Sequence, residues 1–293
     1  MKLIDGKVIA EQIKNEIAAE VRKMIDDGIN PPHLVAVVVG DDPASQTYVA
    51  NKEKSCKEVG FTSSVYRLPS RTTEKELLET VNFLNNDNDV DGFIIQLPLP
   101  EHISVNKVIE SINPAKDVDG FHPVNLGRMI AGVPSFLPAT PYGIMQLIER
   151  SNIDTVGKHC VVLGRSNIVG TPISVLMSRN NAHANSTVTL CHSKTPNLKE
   201  ICLQADILIV AIGKQTFVTS SMVKEGAVVI DVGMHRVPST QTKSGFRLVG
   251  DVDFNNVSEK CSYITPVPGG VGLMTIVSLL MNTMKAAKKE FTF

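Results

Sequence analysis

Along the chain, short unbroken apolar runs alternate with stretches in which apolar residues recur every three or four positions. A run of the first kind suits a strand buried on both faces; the second suits a helix with one apolar face. Residues 8–28 place Val8, Ile9, Ile13, Ile17, Val21 and Ile25 at helical spacing, with Gly28 as the stop. HLVAVVV at 33–39, ended by Gly40, reads as a buried strand. Residues 44–59 predict a second helix closed by Gly60, and 65–68 a short strand. Residues 73–84 predict a helix in which Thr73 and Glu76 have capping-box spacing. GFIIQ at 92–96 predicts a strand ended by Pro98 and Pro100.

The pattern breaks at 113–141, where Pro114, Pro123, Pro134, Pro138 and Pro141 are interleaved with Gly120, Gly127 and Gly132. This reads as a domain junction, with a helical turn near 126–131. Beyond it the rhythm restarts, with helices at 142–150, 172–178 and 198–203 and strands at 160–163, 187–191, 207–211 and 227–231. A glycine-rich loop at 266–272 then leads into a long helix from 274 to about 291. Alternating strands and helices predict an α/β fold with mostly parallel sheets. The expected domains are an N-terminal α/β substrate domain, 1–139, and a Rossmann-like domain, 140–274. The C-terminal helix, 275–293, is expected to pack back on the first domain and leave an interdomain cleft. No repeat of fixed period is visible.

Composition narrows the class. The 293 residues are 43% hydrophobic and 20% charged, enough to bury a real core. Lys and Arg number 29 against 30 Asp and Glu, so there is no basic excess to grip nucleic acid. No apolar window is long enough for a membrane span, and the charged N-terminus is not a secretory signal. Five cysteines with no C-x-x-C pair read as free thiols of a cytoplasmic protein. The histidines have no metal-ligand spacing, so no metal site is expected.

The sharpest local pattern is HCVVLGRSNIVGTP at 159–172. A strand runs into Gly164, Arg165 and Ser166, and Gly170 opens a helix. This is where a dinucleotide pyrophosphate meets a helix N-terminus. Ser166 replaces the usual middle glycine and the last glycine is displaced by one, so a tight turn needed only for packing is the alternative. The next strand ends in His192, Ser193, Lys194 and Thr195, where an NAD site usually carries a carboxylate. With Arg165 these donors favour NADP, unless Ser193 and Lys194 are plain turn residues.

The first half offers reacting groups. Tyr48 and Lys52 share a helix face. Gln96 ends a strand where open α/β sheets bind ligands, and Asp117 and Asp119 lie at the junction. Each has a plain alternative: a solvated lysine, a rim aromatic, a strand terminator, a turn carboxylate.

Taken together, these segments resemble the bifunctional methylenetetrahydrofolate dehydrogenase/methenyltetrahydrofolate cyclohydrolase family. The resemblance rests on YVANK at 48–52, DGFIIQLPLP at 91–100, KDVDGF at 116–121 and GRSNIVG at 164–170. It continues through CHSKT at 191–195, VIDVG at 229–233, GDVDF at 250–254 and TPVPGGVG at 265–272. It implies NADP-dependent oxidation of methylenetetrahydrofolate, then hydrolysis of the methenyl product to formyltetrahydrofolate. It implies catalytic roles for Lys52 (acid/base), Tyr48 (orienting the folate), Gln96 (tuning Lys52) and Asp119 (holding the pterin edge). Leu97, Pro268, Gly269 and Gly270 complete the implied substrate site. Gly164, Arg165, Ser166, Ser193 and Met234 match cofactor positions. A homodimer is implied too. Leu273 stands where many relatives have proline. The alternatives are a dehydrogenase without hydrolysis and a non-catalytic NADP-binding module.

Overall fold

The computed structural model describes residues 1–240, 242 and 245–293. The chain forms two compact units. The first comprises Gln12–Ala139 with Ile276–Phe293, the second Met1–Glu11 with Thr140–Thr275. The first eleven residues, expected in the N-terminal domain, thus cluster with the second unit. The physical reason is a two-residue strand, β1 (Lys2–Leu3), which pairs in parallel with β11 (Tyr263–Ile264).

Helix α1 (Gly6–Asp26) buries Ile9, Ile13, Ile17, Val21 and Met24 along one stripe. Val8 and Ile25, expected in that stripe, are exposed. The first unit's sheet has three parallel strands in the order β3-β2-β4: β2 (His33–Val39), β3 (Thr62–Leu68) and β4 (Gly92–Ile95). Around it stand α2 (Pro43–Val59), α3 (Glu74–Asn86), α4 (Val105–Ser111) and α5 (Pro123–Ala131). Val35, Val37 and Val39 pack with Leu77, Val81 and Leu84 of α3, Phe93 and Ile95 of β4, and Val108 of α4. Leu34, Ala36 and Val38, pointing the other way, are also buried. A central parallel strand covered on both faces needs this unbroken apolar run. Thr73 closes the capping box: its Oγ1 accepts from the Glu76 amide at 3.2 Å, and its own amide donates to Glu76 Oε2 at 2.7 Å.

In the second unit α6 (Ala139–Arg150) precedes β5 (His159–Leu163), α7 (Gly170–Ser178), β6 (Thr187–Cys191), α8 (Leu198–Cys202) and β7 (Ile207–Val210). A short 3-10 turn leads to β8 (Val228–Asp231). An antiparallel hairpin follows, β9 (His235–Pro238) with β10 (Phe246–Val249), then α9 (Phe254–Ser258) and β11. The sheet is parallel throughout, in the order β1-β11-β8-β7-β5-β6. Its order reverses between β5 and β7, which makes the carboxyl ends of those strands the expected ligand crevice. The last helix, α10, runs Val271–Ala287, starting inside the expected glycine loop and ending before the expected 291. Within the first unit, Asn282 of α10 donates to the carbonyls of Val118 and Leu137 at 2.8 and 2.9 Å. The non-helical tail brings the rings of Phe291 and Phe293 to 5.2 and 5.9 Å from that of Phe136.

In each unit a strand flanked by two parallel neighbours, β2 in the first and β5 in the second, starts with the same staple. The His33 amide donates to Asp91 Oδ2 at 2.8 Å; its Nδ1 lies 2.8 Å from the Asp89 carbonyl and its Nε2 2.9 Å from Ser64 Oγ. In the second unit the His159 amide reaches Asp206 Oδ2 at 2.9 Å, with its ring nitrogens on the Gln204 carbonyl and Thr189 Oγ1 at 3.2 and 2.9 Å. A carbonyl only accepts, so Nδ1 carries the proton in both rings. Each imidazole ties its own strand to both neighbours near their amino ends, leaving the carboxyl ends to bind ligands. Gln96 and Ala211 are equivalent there, their amides donating to the carbonyls of Val37 and Leu163, each at 2.8 Å.

Candidate active site

In the first unit, Asp42 Oδ2 accepts from the Ser45 amide at 2.7 Å and Pro43 opens α2, fixing where that helix begins. Tyr48 and Lys52 then lie one turn apart. Lys52 is buried at 9% exposure, whereas the side chains of Lys54 and Lys57 are 76% and 71% exposed. Burial therefore singles out Lys52 from its neighbours. Its Nζ donates to Gln96 Oε1 at 3.1 Å. The Gln96 amide nitrogen in turn donates to the Leu97 carbonyl at 2.7 Å, which orients the oxygen toward the lysine. The Leu97–Pro98 bond is cis.

Asp119 is brought alongside by sheet extension. The Phe93 amide donates to the Lys116 carbonyl at 3.0 Å, and Phe93 bridges to Asp117, so this segment runs beside β4. Asp117 is buried and accepts from the amides of Phe121 and His122 at 3.2 and 2.8 Å and from Asn125 Nδ2 at 2.9 Å. It is a clasp for the turn that presents Asp119, with its carboxyl pushed up to about 7 by burial. Burial also holds the Lys52 amine below its ordinary value, against the opposing pull of the Asp119 charge. The Asp119 carboxyl is raised by burial and held back by Lys52. A buried amine with lowered proton affinity, hydrogen-bonded and opposed to a carboxylate, gives up its proton more readily than a solvated lysine and can act as base and acid in turn. Tyr48 is 39% exposed, available to a ligand rather than part of the core.

In the second unit, Gly164 has φ +109°, and a Cβ there would sit 2.1 Å from the Ala211 carbonyl oxygen. Only glycine lets β5 turn so close to the end of β7. The amides of Val169 and Gly170 donate to Ser166 Oγ at 3.2 and 3.4 Å, so Ser166 organises the entry to α7. The loop after β6 is tied by the His192 amide on Thr195 Oγ1 at 2.9 Å and the Lys194 amide on His192 Nδ1 at 3.2 Å, which leaves Ser193 exposed. Gly164, Arg165 and Ser193 line one crevice of about 280 Å³ between these loops. Its other walls include Leu198, Ile212, Lys214 and Phe217. Lys214 Nζ lies 5.7 Å from the centre of the Phe217 ring. Sequence reading missed Lys214 and Phe217; the signal was their place after β7, which only the strand order reveals as a crevice wall.

These residues fit a dinucleotide. The turn is open where a Cβ would block it, no carboxylate ends β6, and Arg165 and Lys214 supply positive charge for a phosphate. Met234 follows β8 and is 40% exposed; it packs over Gly272, where a Cβ would meet its Cε at 2.5 Å. Pro268, Gly269 and Gly270 lie in the second unit, apart in sequence from the Lys52 group; the Val267–Pro268 bond is cis. Among the described residues no cluster of His, Cys, Asp and Glu could hold a metal ion. All five cysteines are unpaired and buried.

The fold and the two groups of residues define a class: a two-unit α/β protein with a crevice that fits a dinucleotide in one unit and a buried lysine of lowered proton affinity in the other. Residues 4–119 match the catalytic domain of tetrahydrofolate dehydrogenase/cyclohydrolase, and residues 138–291 its NAD(P)-binding domain. The chain belongs to the tetrahydrofolate dehydrogenase/cyclohydrolase family. It is 60% identical to the bifunctional protein FolD of Cytophaga hutchinsonii, over 98% of this chain and 99% of that protein. The FolD structure from Campylobacter jejuni matches with a TM-score of 0.93 at 47% identity, covering 99% of this chain and 100% of that one. The Trypanosoma brucei enzyme, solved with NADP and an inhibitor, matches with a TM-score of 0.92 at 36% identity, covering 99% and 98%.

Proposed function

We propose that this chain oxidises methylenetetrahydrofolate with NADP and hydrolyses the resulting methenyl cation to formyltetrahydrofolate. The observation that carries the reading is the buried Lys52, held on Gln96 and opposed to Asp119 at the carboxyl end of β4. Tyr48, Leu97 and Asp119 bind and orient the folate, the carboxylate taking the donor edge of the pterin. Pro268, Gly269 and Gly270 complete the substrate site. Gly164, Arg165, Ser166, Ser193 and Met234 hold the dinucleotide, with Arg165 on the 2′-phosphate. NADP, when bound, supplies the hydride acceptor.

Loss of the hydride leaves a cationic carbon between two nitrogens. That charge disfavours an ammonium nearby and keeps Lys52 as the free amine. Water adds to the carbon as the Lys52 amine takes its proton. The ammonium then returns the proton to the departing ring nitrogen, the carbon–nitrogen bond breaks, the hydroxyl proton of the adduct is released to solvent, and the formyl product forms. One lysine thus serves as base and acid in turn. No helix among the described residues is long and apolar enough to cross a membrane. The reading includes a homodimer working in the cytoplasm, with no nucleic-acid or membrane partner.

The test is direct. Purified protein is supplied with methylenetetrahydrofolate and NADP while NADPH and the methenyl product are followed by absorbance. NADPH formation and consumption of separately supplied methenyltetrahydrofolate are expected. A dehydrogenase alone forms NADPH but leaves the methenyl compound untouched, and a binding module does neither.

A further inference from the structure

Two buried carboxylates of the second unit take no part in the chemistry above. Asp231, at the end of β8, accepts from three backbone amides: Gly233 and Asp251 on Oδ1, each at 2.9 Å, and Val252 on Oδ2 at 3.0 Å. The fit is close enough that a Cβ at Gly250 would lie 1.8 Å from Asp231 Oδ2. Asp251 is fully buried. Its Oδ2 accepts from the amides of Ile212 and Gly213 at 2.8 and 2.9 Å, and its Oδ1 lies 2.7 Å from Nε2 of His235. Each carboxylate therefore spans two segments. Asp251 joins the turn after β7 to the start of β9, and Asp231 joins the loop after β8 to the segment after β10 that carries Asp251.

The segments joined in this way border the dinucleotide crevice. Ala211, Ile212 and Lys214 line it, and Gly233 precedes Met234. A turn held only by backbone would be free to shift where Gly213, at φ +66°, breaks the run. A buried carboxylate left without one of its donors loses a charge-assisted bond and moves. His235 is the one side-chain donor on Asp251 in this set, since its other bonds come from main-chain amides.

We infer that His235, through Asp251, is a positioning residue for the cofactor: it holds the 211–214 turn and the loop bearing Met234 in the geometry that binds NADP. This rests on the proposed function. It is distinct from it, because the cyclohydrolase step needs no hydride acceptor and its proton transfers run on Lys52, held by Gln96 and opposed to Asp119, in the first unit.

The test compares His235→Phe, which keeps the ring volume without a donor, with His235→Gln, which restores an N–H at about the same reach. NADP affinity is measured by titration calorimetry, KM and kcat by the dehydrogenase assay, and hydrolysis with methenyltetrahydrofolate alone. Expected for His235→Phe is about a tenfold rise in both Kd and KM for NADP. Its kcat and hydrolysis should stay within about threefold, and its backbone amides at 212 and 213 should exchange hydrogen faster. His235→Gln should lie near the unsubstituted protein. NADP affinity unchanged in His235→Phe, or hydrolysis falling as far as NADP binding, overturns the inference alone. Failure of the unsubstituted chain to bind NADP would instead overturn the function proposed for it. Should His235→Phe not fold, the same readouts on His235→Asn, which is too short to reach Asp251, decide the matter.

Discussion

Replacing Gln96 by glutamate puts a negative charge where Lys52 now meets a neutral oxygen. The separation is 3.1 Å. At an effective dielectric of about 20, opposite charges that close attract by about 5 kcal/mol, or roughly 4 pKa units as an upper bound. Carboxylates next to buried cations shift pKa values by about 1–3 units. The sign follows from the charge form. A carboxylate favours the ammonium, the lysine's proton affinity rises, and the free amine becomes scarcer at neutral pH. The ascending limb of the cyclohydrolase pH profile should therefore move up by about 2 units, with about a 100-fold lower rate at neutrality. Hydride transfer, which moves no proton at Lys52, should fall far less. Asp119→Asn is the counter-test. It removes the charge that raises the Lys52 value against burial, so the limb should move to lower pH even where folate binding weakens. The assay is the initial rate of methenyl loss across pH with saturating folate. A limb that stays put in Gln96→Glu, or moves down, would refute the assignment of that limb to Lys52.

Two further outcomes follow from single contacts. Arg165→Ala should lower the NADP over NAD preference in kcat/KM by about 10- to 150-fold, the equivalent of one charge-assisted bond worth about 1.5–3 kcal/mol; an unchanged ratio would remove Arg165 from the 2′-phosphate. Thr73→Ala should cost about 1 kcal/mol in urea unfolding through loss of the capping box, with both activities unchanged, since the bonds of the Thr73 amide and hydroxyl are made to Glu76 within the cap.

Much of the fold was legible because burial on both faces leaves a simple trace. The strands at 33–39 and 187–191 were read at their observed bounds, and α2, α3 and α7 within a few residues. What escaped was short or held by side chains. Two-residue strands such as β1 and β11 carry no periodicity, and the half-exposed hairpin β9–β10 has no apolar run. The paired staples left no repeat because His33 and Asp91 are 58 residues apart while His159 and Asp206 are 47 apart. In the site, Lys52 could not be told from Lys54 and Lys57 by pattern, since what separates them is burial and a bond donated to Gln96, just past a strand end and 44 residues on. Asp117 and Asp119, alike in sequence, divide the work: one clasps the turn, the other faces the lysine. Asp231, Asp251 and His235 lay within or beside quoted motifs, but only the carboxylate geometry shows what they join.

The central claim is that one buried lysine runs the hydrolysis and is dispensable for hydride transfer. Lys52→Met retains the bulk of the side chain and removes its proton-carrying nitrogen. Given methylenetetrahydrofolate and NADP, this variant should form NADPH and accumulate the methenyl compound one for one, while the unsubstituted protein carries it on to the formyl product. A variant that still clears the methenyl compound at the unsubstituted rate would contradict the account.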